Sequence, residues 1–258
     1  MSRRRLDREL VSRGLCADLE EARAAVEARL IAIDGAPAMN PAAMVDSIST
    51  VTVQSPARFA SRAGDKLAGA LEDLMVDPAG RRCLDAGAGS GGFTDSLLQR
   101  GAASVVAVDV GYGQFDWRLR NDPRVQLLER TNVRALPDIV EGDFELIVAD
   151  LSFVPLRSVI PTLERLGGSS CDWLMLVKPQ FEIDPGDVPR GGVVRDPALW
   201  EFALTQAVGA AGSSGLGVAG VSPSRVPGAE GNREFFLHAR RDATGGEERA
   251  KEALKDLS

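Results

Sequence analysis

The chain has 258 residues, 44% of them hydrophobic and 26% charged, with a formal net charge of −7. That length supports one large domain plus a small one, each with its own core. No apolar run approaches the roughly 18 residues of a membrane helix, and the arginine-rich start has no apolar stretch behind it, so neither a membrane-spanning protein nor a secretory signal is expected. Cys16, Cys83 and Cys171 are odd in number and lack metal-site spacing, which reads as reduced thiols in a cytoplasmic protein with no metal. Residues 1–58 hold eight arginines against eight acidic side chains. Overall charge therefore gives no bias toward a polyanionic partner, and any such affinity must come from local clusters.

In chain order, residues 6–53 read as helix, helix and short strands. Leu6, Leu10 and Val11 recur at helical spacing, and Gly14 ends that helix. Asp18 is a good N-cap for a second helix, with Glu21 three residues on. Residues 30–33 are apolar and β-prone, Asp34-Gly35 is a hairpin signal, and residues 48–53 alternate as another strand. Ser55-Pro56 marks a boundary. The expected organisation is a small α+β domain over 1–55 and a linker over 56–63. A large domain over 64–241 and a charged tail over 242–258 follow.

In the large domain, strands at 83–86, 105–109, 125–128, 146–150 and 173–178 alternate with helical stretches such as 92–100 and 156–166. Asp196 caps a long helix with Pro197 at its first position, and 216–221 and 234–239 supply two last strands. This alternation predicts an α/β, Rossmann-like domain with a seven-stranded, mostly parallel sheet covered on both faces.

The strongest local signal is the run Leu84-Asp85-Ala86-Gly87-Ala88-Gly89-Ser90-Gly91-Gly92-Phe93, which follows a strand and opens a helix. Glycines at such a turn let a ligand approach the backbone. Gly87, Gly89 and Gly92 satisfy a dinucleotide fingerprint, with Asp109 at the end of the next strand as the ribose-binding carboxylate. The motif alone does not separate NAD from S-adenosylmethionine. Asp85 directly before the glycines favours the latter, because a carboxylate can bind a methionyl ammonium but would repel a pyrophosphate. Asp150 and Lys178 end two strands at the rim where open α/β sheets bind ligands. His238 is the only histidine and falls in a late strand, which suits a structural residue and disfavours a histidine-based dehydrogenase.

The segment Phe59-Ala60-Ser61-Arg62-Ala63-Gly64-Asp65-Lys66-Leu67 resembles a stretch of the TlyA-type rRNA 2′-O-methyltransferases, historically called haemolysins. The resemblance continues through 84–95, Val108-Asp109-Val110-Gly111-Tyr112-Gly113-Gln114, Asn132-Val133-Arg134, Asp150-Leu151-Ser152-Phe153, Val177-Lys178-Pro179-Gln180-Phe181-Glu182, 191–196 and Gly231-Asn232-Arg233-Glu234-Phe235-Phe236. It implies an FtsJ-like methyltransferase domain that uses S-adenosylmethionine to methylate cytidine 2′-hydroxyls in ribosomal RNA. It also implies a catalytic tetrad of Lys66, Asp150, Lys178 and Glu234, with Lys178 nearest the base role. A ribose hydroxyl is a poor nucleophile, so the reaction needs both a base and close in-line placement.

The cofactor contacts expected on this reading are Asp85, Gly87, Ala88, Gly89, Gly91, Phe93, Asp109, Asn132 and Asp150. By the same resemblance, residues 1 to about 55 are similar to a small RNA-binding module shared with a ribosomal small-subunit protein and pseudouridine synthases. This chain departs from that module in having Asp18-Leu19 in place of Ser-Arg and Arg29 in place of glycine. RNA contact is expected from Arg3, Arg4, Arg5, Arg8 and Arg13, anchoring phosphates, and from Arg62. The expected partners are ribosomal RNA or ribosomal subunits. The competing readings are a non-catalytic RNA-binding or ribosome-assembly factor, a pore-forming haemolysin and an NAD-dependent oxidoreductase.

Overall fold

The computed structural model describes residues 3–53, 58–228 and 230–246, and beyond them only positions 248, 249 and 252. Two compact units, Met1–Ala57 and Arg58–Ser258, make up the chain.

The first unit contains β1 (Arg3–Arg5), α1 (Leu6–Ser12), α2 (Leu19–Glu27), β2 (Ile31–Ile33), β3 (Ala36–Pro37), β4 (Met44–Asp46) and β5 (Val51–Val53). β1 pairs with β4, and β2 lies between β3 and β5. Asp18 caps α2 by accepting from the amides of Glu20 and Glu21. Asp34 and Gly35 have φ of 49° and 85°, the two left-handed residues of a type I′ hairpin between β2 and β3. The strand expected over 48–53 shortens to β5. The Ser49 amide donates to the Asp46 carbonyl in a turn, and Ile48 is left 76% exposed. Arg29 has a φ of 58°, which explains why a glycine suits that position. Leu6, Leu10, Ala22, Val26, Ile31 and Val45 form this unit's core.

The second unit contains α3 (Arg62–Asp73), β6 (Arg82–Ala86), α4 (Gly92–Gln99), β7 (Ser104–Val108), α5 (Trp117–Arg120), β8 (Val125–Leu128), β9 (Phe144–Ala149) and α6 (Ile160–Leu166). It continues with β10 (Gly167–Val177), α7 (Pro179–Glu182), α8 (Pro197–Ser213), β11 (Gly217–Pro223) and β12 (Phe235–Arg240). Short 3-10 turns occupy Val133–Asp138 and Leu156–Ser158. The seven strands run in the order β11-β12-β10-β9-β6-β7-β8. Neighbours from β10 to β8 are parallel, whereas β12 is antiparallel to both β10 and β11.

Alternation along β9 sends Ile147 and Ala149 to one face and Leu146 and Val148 to the other, as a sheet buried on both sides requires. Leu163, Trp200 and Leu204 cover the first face. Leu67, Leu71, Phe93 and Leu97 cover the second.

The linker expected over 56–63 is too long. Arg62 and Ala63 already belong to α3, and Phe59 is 3% exposed. Phe59 lies so close to the helix that a Cβ on Gly64 would sit 2.3 Å from its own Cβ. An aromatic residue can bury itself this way only by joining the domain that follows. Residues 54–57 lie outside the described residues. At the other end, Gly245 accepts a hydrogen bond of 3.2 Å from the Val218 amide, so the first part of the tail follows the β11 edge.

At the sheet end opposite the strand C-termini, Asp172 is 6% exposed and accepts from His238 Nε2 at 2.7 Å and Arg81 Nη1 at 2.6 Å. Burial opposes its charge, but these hydrogen bonds outweigh it and hold the carboxyl below its ordinary value of 3.8. Its contribution to stability is therefore present above that value and is lost as pH falls through the lower, folded one. Removing one member of a buried charged cluster leaves the others unpaired, so Asp172→Ala should cost about 3–5 kcal/mol in chemical denaturation. A loss below about 1 kcal/mol, the worth of an exposed pair, would mean that the cluster is effectively solvated.

Candidate active site

Five parallel strands end at one rim, and the connections beyond them build the site. β6 turns through Gly87, whose φ is 91°. A Cβ there would lie 2.4 Å from the Asp150 carbonyl, so any side chain would pry the ends of β6 and β9 apart. At Gly89 (φ 54°) a Cβ would meet no protein atom within 4 Å, which places this backbone against open space. The Gly89 amide donates to Asp109 Oδ2 at 2.8 Å, and the Gly111 amide donates to Asp109 Oδ1 at 2.6 Å. Two backbone donors thus fix the Asp109 carboxylate at the end of β7, with its remaining lone pairs free to receive hydroxyls.

These residues border a cavity of about 370 Å³, within the range of small-molecule sites. Of the residues expected to serve a cofactor or the chemistry, Gly87, Gly89, Asp109, Asn132, Asp150 and Lys178 line it. Thr131, Arg134, Ser152 and Phe153 line it as well. None of these four was picked as a site residue from sequence, although three stand in matched motifs. Asn132 also caps the following 3-10 turn by accepting from the Arg134 amide at 3.0 Å.

Asp85, Ala88, Gly91 and Phe93 do not line the cavity. Gly91 (φ 94°) is the N-cap of α4. Ala88 is 5% exposed within the second core. The expectation that Phe93 faces the cofactor is corrected: its ring lies inside the core, 6.0 Å from that of Phe236, because the first turn of α4 points it at the sheet.

Asp85 is fully buried beneath the glycine turn, where its Oδ2 accepts from Thr94 Oγ1 at 2.6 Å. Its Oδ1 has no partner among the described residues. Burial, and then the nearby Asp150 and Asp109 carboxylates, push its pKa up to about 7. A buried carboxylate with one unmet oxygen is suited to a cationic or donating ligand group.

At the neighbouring part of the rim stand two lysine–carboxylate pairs. Lys178, directly after β10, lies 2.6 Å from Asp150 Oδ1 and donates to Ser152 Oγ at 2.9 Å. Lys66, in the second turn of α3, donates to Glu234 Oε2 at 2.6 Å. Lys66, Lys178 and Glu234 are all buried, at 8%, 8% and 4% exposure. The register Val177↔Phe235 places Lys178 and Glu234 opposite each other at the end of the β10–β12 pair. The fold thus brings together not only Asp150 and Lys178, as strand ends imply, but also Lys66 and Glu234, which only the resemblance had grouped with them. Beside them Phe153 is 88% exposed, with its ring 5.2 Å from that of Phe181.

The arginines of the first unit divide differently from expectation. Arg5 binds the buried Asp7 carboxylate through two hydrogen bonds of 3.1 and 2.8 Å, and this pairing, led by Arg5, holds the Asp7 pKa at about 2. Arg13 donates to Glu9 and to the Ser47 and Ser49 carbonyls. Both also serve the fold, because Asp7 and Glu9 are buried and need cationic partners. Arg3 pairs with Asp46, and Arg4 donates to Ser12, yet both side chains are at least 60% exposed. Arg8 is exposed and forms no ion pair among the described residues. Arg62 is exposed one helical turn before Lys66, on the same face of α3.

Among the described residues, no cluster of His, Cys, Asp and Glu could hold a metal, and no helix is long and apolar enough to cross a membrane.

Comparison with known proteins gives the chain its family. Residues 59–241 match the FtsJ-like methyltransferase family. The chain is 49% identical over 244 residues to the 16S/23S rRNA (cytidine-2′-O)-methyltransferase TlyA of Mycobacterium tuberculosis, covering 93% of this chain and 91% of that protein. It is 33% identical over 236 residues to hemolysin A of Brachyspira hyodysenteriae, covering 91% and 98% respectively. A solved structure of a Streptococcus thermophilus protein named as a hemolysin superposes with a TM-score of 0.73 at 32% identity, covering 100% of this chain and 98% of that one. By the match over residues 59–241 and by these identities, the chain belongs to the FtsJ-like methyltransferase family.

Proposed function

We propose that this protein transfers a methyl group from S-adenosylmethionine to the 2′-hydroxyl of a cytidine in ribosomal RNA, acting in the cytoplasm on ribosomal subunits or their RNA. The observation that carries this reading is the Lys178–Asp150 pair lining the glycine-floored cavity, with the Lys66–Glu234 pair next to it through the β10–β12 register. The relatives named for cytidine 2′-O-methylation supply the substrate class. The cofactor would lie over the glycine turn, with Asp109 receiving its ribose hydroxyls and Asp85 supplying negative charge toward its ammonium. Gly87 and Gly89 leave room for it, and the unmet Asp85 oxygen gives it a counter-charge. When bound, it supplies an electrophilic methyl on a sulfonium.

The chain's own residues then have to place and activate a ribose hydroxyl. Lys178 lies at the boundary between the cavity and the rim, where it can hold the 2′-oxygen and take up its proton as the new O–C bond forms and the S–C bond breaks. Asp150 and Glu234 orient the two amines. Phe153 offers an exposed aromatic face on which a base can stack.

The test is transfer of a labelled methyl group to small and large ribosomal subunits and to free rRNA, followed by alkaline hydrolysis. A 2′-O-methyl leaves a labelled, alkali-resistant dinucleotide with cytidine on its 5′ side. Label on a base would overturn the site of transfer. No label in any substrate would favour a non-catalytic RNA-binding factor.

The first unit serves in this proposal as the RNA-binding module, through the exposed Arg3, Arg4 and Arg8. Arg8→Ala should weaken RNA binding about equally for all sequences and reduce the slope of log affinity against log salt by about 1. An unchanged salt slope would exclude Arg8 from phosphate contact. Arg5→Ala should instead destabilise the unit, because it leaves Arg23 as the one cationic partner of the buried Asp7 among the described residues.

A further inference from the structure

Lys178 Nζ has two partners, not one. Asp150 Oδ1 lies 2.6 Å from the nitrogen as an ion-pair partner without hydrogen-bond alignment, and Ser152 Oγ accepts the hydrogen bond that the amine makes, at 2.9 Å. Lys178, Asp150 and Ser152 all line the cavity.

The backbone around Ser152 is arranged to keep that contact. Phe153 has a φ of 63°, a left-handed conformation that a bulky side chain adopts only when its surroundings enforce it. This reversal leaves the Phe153 ring exposed while Ser152 remains in reach of the lysine. Farther along, the Leu156 amide donates to Glu182 Oε1 at 2.5 Å, and Arg157 Nη1 donates to the Glu182 carbonyl at 2.6 Å. Glu182 is 2% exposed and closes α7, the helix that starts directly after Lys178. One short segment, 178–182, therefore carries the lysine at its start and grips the lysine's hydroxyl partner loop at its end.

We propose that Ser152 is a positioning residue that, with Asp150, fixes the Lys178 nitrogen so that the lone pair of its neutral amine faces the target hydroxyl. This role rests on the proposed 2′-O-methyl transfer for its consequence, but not for its geometry. Ser152 makes no other side-chain hydrogen bond among the described residues, so removing the hydroxyl changes the lysine's restraint and little else.

Two measurements on the full-length protein test the proposal, with Ser152→Ala and Ser152→Thr as variants. The first is methyl transfer under saturating cofactor and rRNA. A misdirected reacting group costs turnover rather than binding, so Ser152→Ala should lower kcat by about 10- to 100-fold. The KM for RNA and the Kd for S-adenosylmethionine should stay near wild type, and Ser152→Thr, which keeps the hydroxyl, should retain most of the rate. The second is the rate at which Lys178 is modified by an amine-reactive reagent, followed by peptide mass spectrometry. Freed from Ser152, the amine should react faster in the alanine variant and at the wild-type rate in the threonine variant.

Unchanged kcat and unchanged labelling in Ser152→Ala would overturn the proposal, and so would a loss shared equally by Ser152→Thr or accompanied by weaker cofactor binding. If the wild type transfers no methyl group but labelling of Lys178 still quickens in the alanine variant alone, the proposed reaction fails while the positioning role of Ser152 stands.

Discussion

Lys178→Ala should lower methyl transfer by about 10²- to 10⁴-fold, the range lost when a positioned acid–base group is removed, while S-adenosylmethionine binding changes little. The expected separation follows from the site. In the proposed reading the cofactor's ribose and ammonium ends would face Asp109 and the glycine turn, whereas Lys178 stands beside Asp150 and Ser152. Lys178→Arg should not rescue the rate, because a planar guanidinium cannot take the place of a compact amine held between a carboxylate and a hydroxyl. Isothermal titration for the cofactor, together with labelled methyl transfer, checks both halves. A variant that retains near wild-type turnover would remove Lys178 from the chemistry. One that loses cofactor binding in step with turnover would recast it as a cofactor ligand.

The second large effect has opposite signs for stability and for binding. Asp85 is buried with one unmet oxygen, and burial raises its pKa from 3.8 to about 7. An acid whose folded pKa is raised favours the folded state most fully below the unfolded value, and that advantage is lost as pH rises through the folded one. Between about pH 4 and 7 the wild type should therefore lose stability at this site, on the order of a few kcal/mol at about 1.4 kcal/mol per unit. Asp85→Asn, which keeps an acceptor for Thr94, should abolish this dependence and melt at a higher temperature than wild type at pH 8. The same substitution should raise the Kd for S-adenosylmethionine on the order of 10- to 100-fold, since the counter-charge proposed for its ammonium is lost. Thermal melts at pH 5 and pH 8, with and without cofactor, separate the two effects. Equal affinity in the variant would make Asp85 a support for the glycine turn and nothing more.

Much of this site was legible in the residue order, for identifiable reasons. Parallel strands in an α/β sheet all end at the same rim, so Asp109, Asp150 and Lys178 could be placed together from their positions at strand ends alone. Lys66 and Glu234 could not, because one rides on a helix before the sheet begins and the other precedes an antiparallel strand. Their meeting depends on tertiary packing, and only the resemblance grouped them. Phe93 illustrates the opposite error: proximity to a glycine loop in sequence says nothing of side-chain direction once a helix has begun. β1 and β4 were missed because Arg3–Arg5 and Met44–Asp46 show no apolar alternation. The ion pairs of Arg5 and Arg13 were not legible, because sequence cannot reveal that Asp7 and Glu9 are buried.

The position of β12 has a consequence for how the enzyme comes into being. β12 is made after β11, yet it lies between β11 and β10. On a ribosome, where the chain emerges from its N-terminus and domains fold as units, β11 has no partner to extend the sheet until residues 235–240 arrive. Glu234 enters with them and brings Lys66 its carboxylate. Phe235, Leu237 and Ala239 belong to one hydrophobic layer and Phe236 to the other, so neither layer is filled before that strand arrives. Completion of the core and completion of the reactive rim are then one event, and a chain that stops before residue 234 lacks both its last buried strand and the carboxylate partner of Lys66.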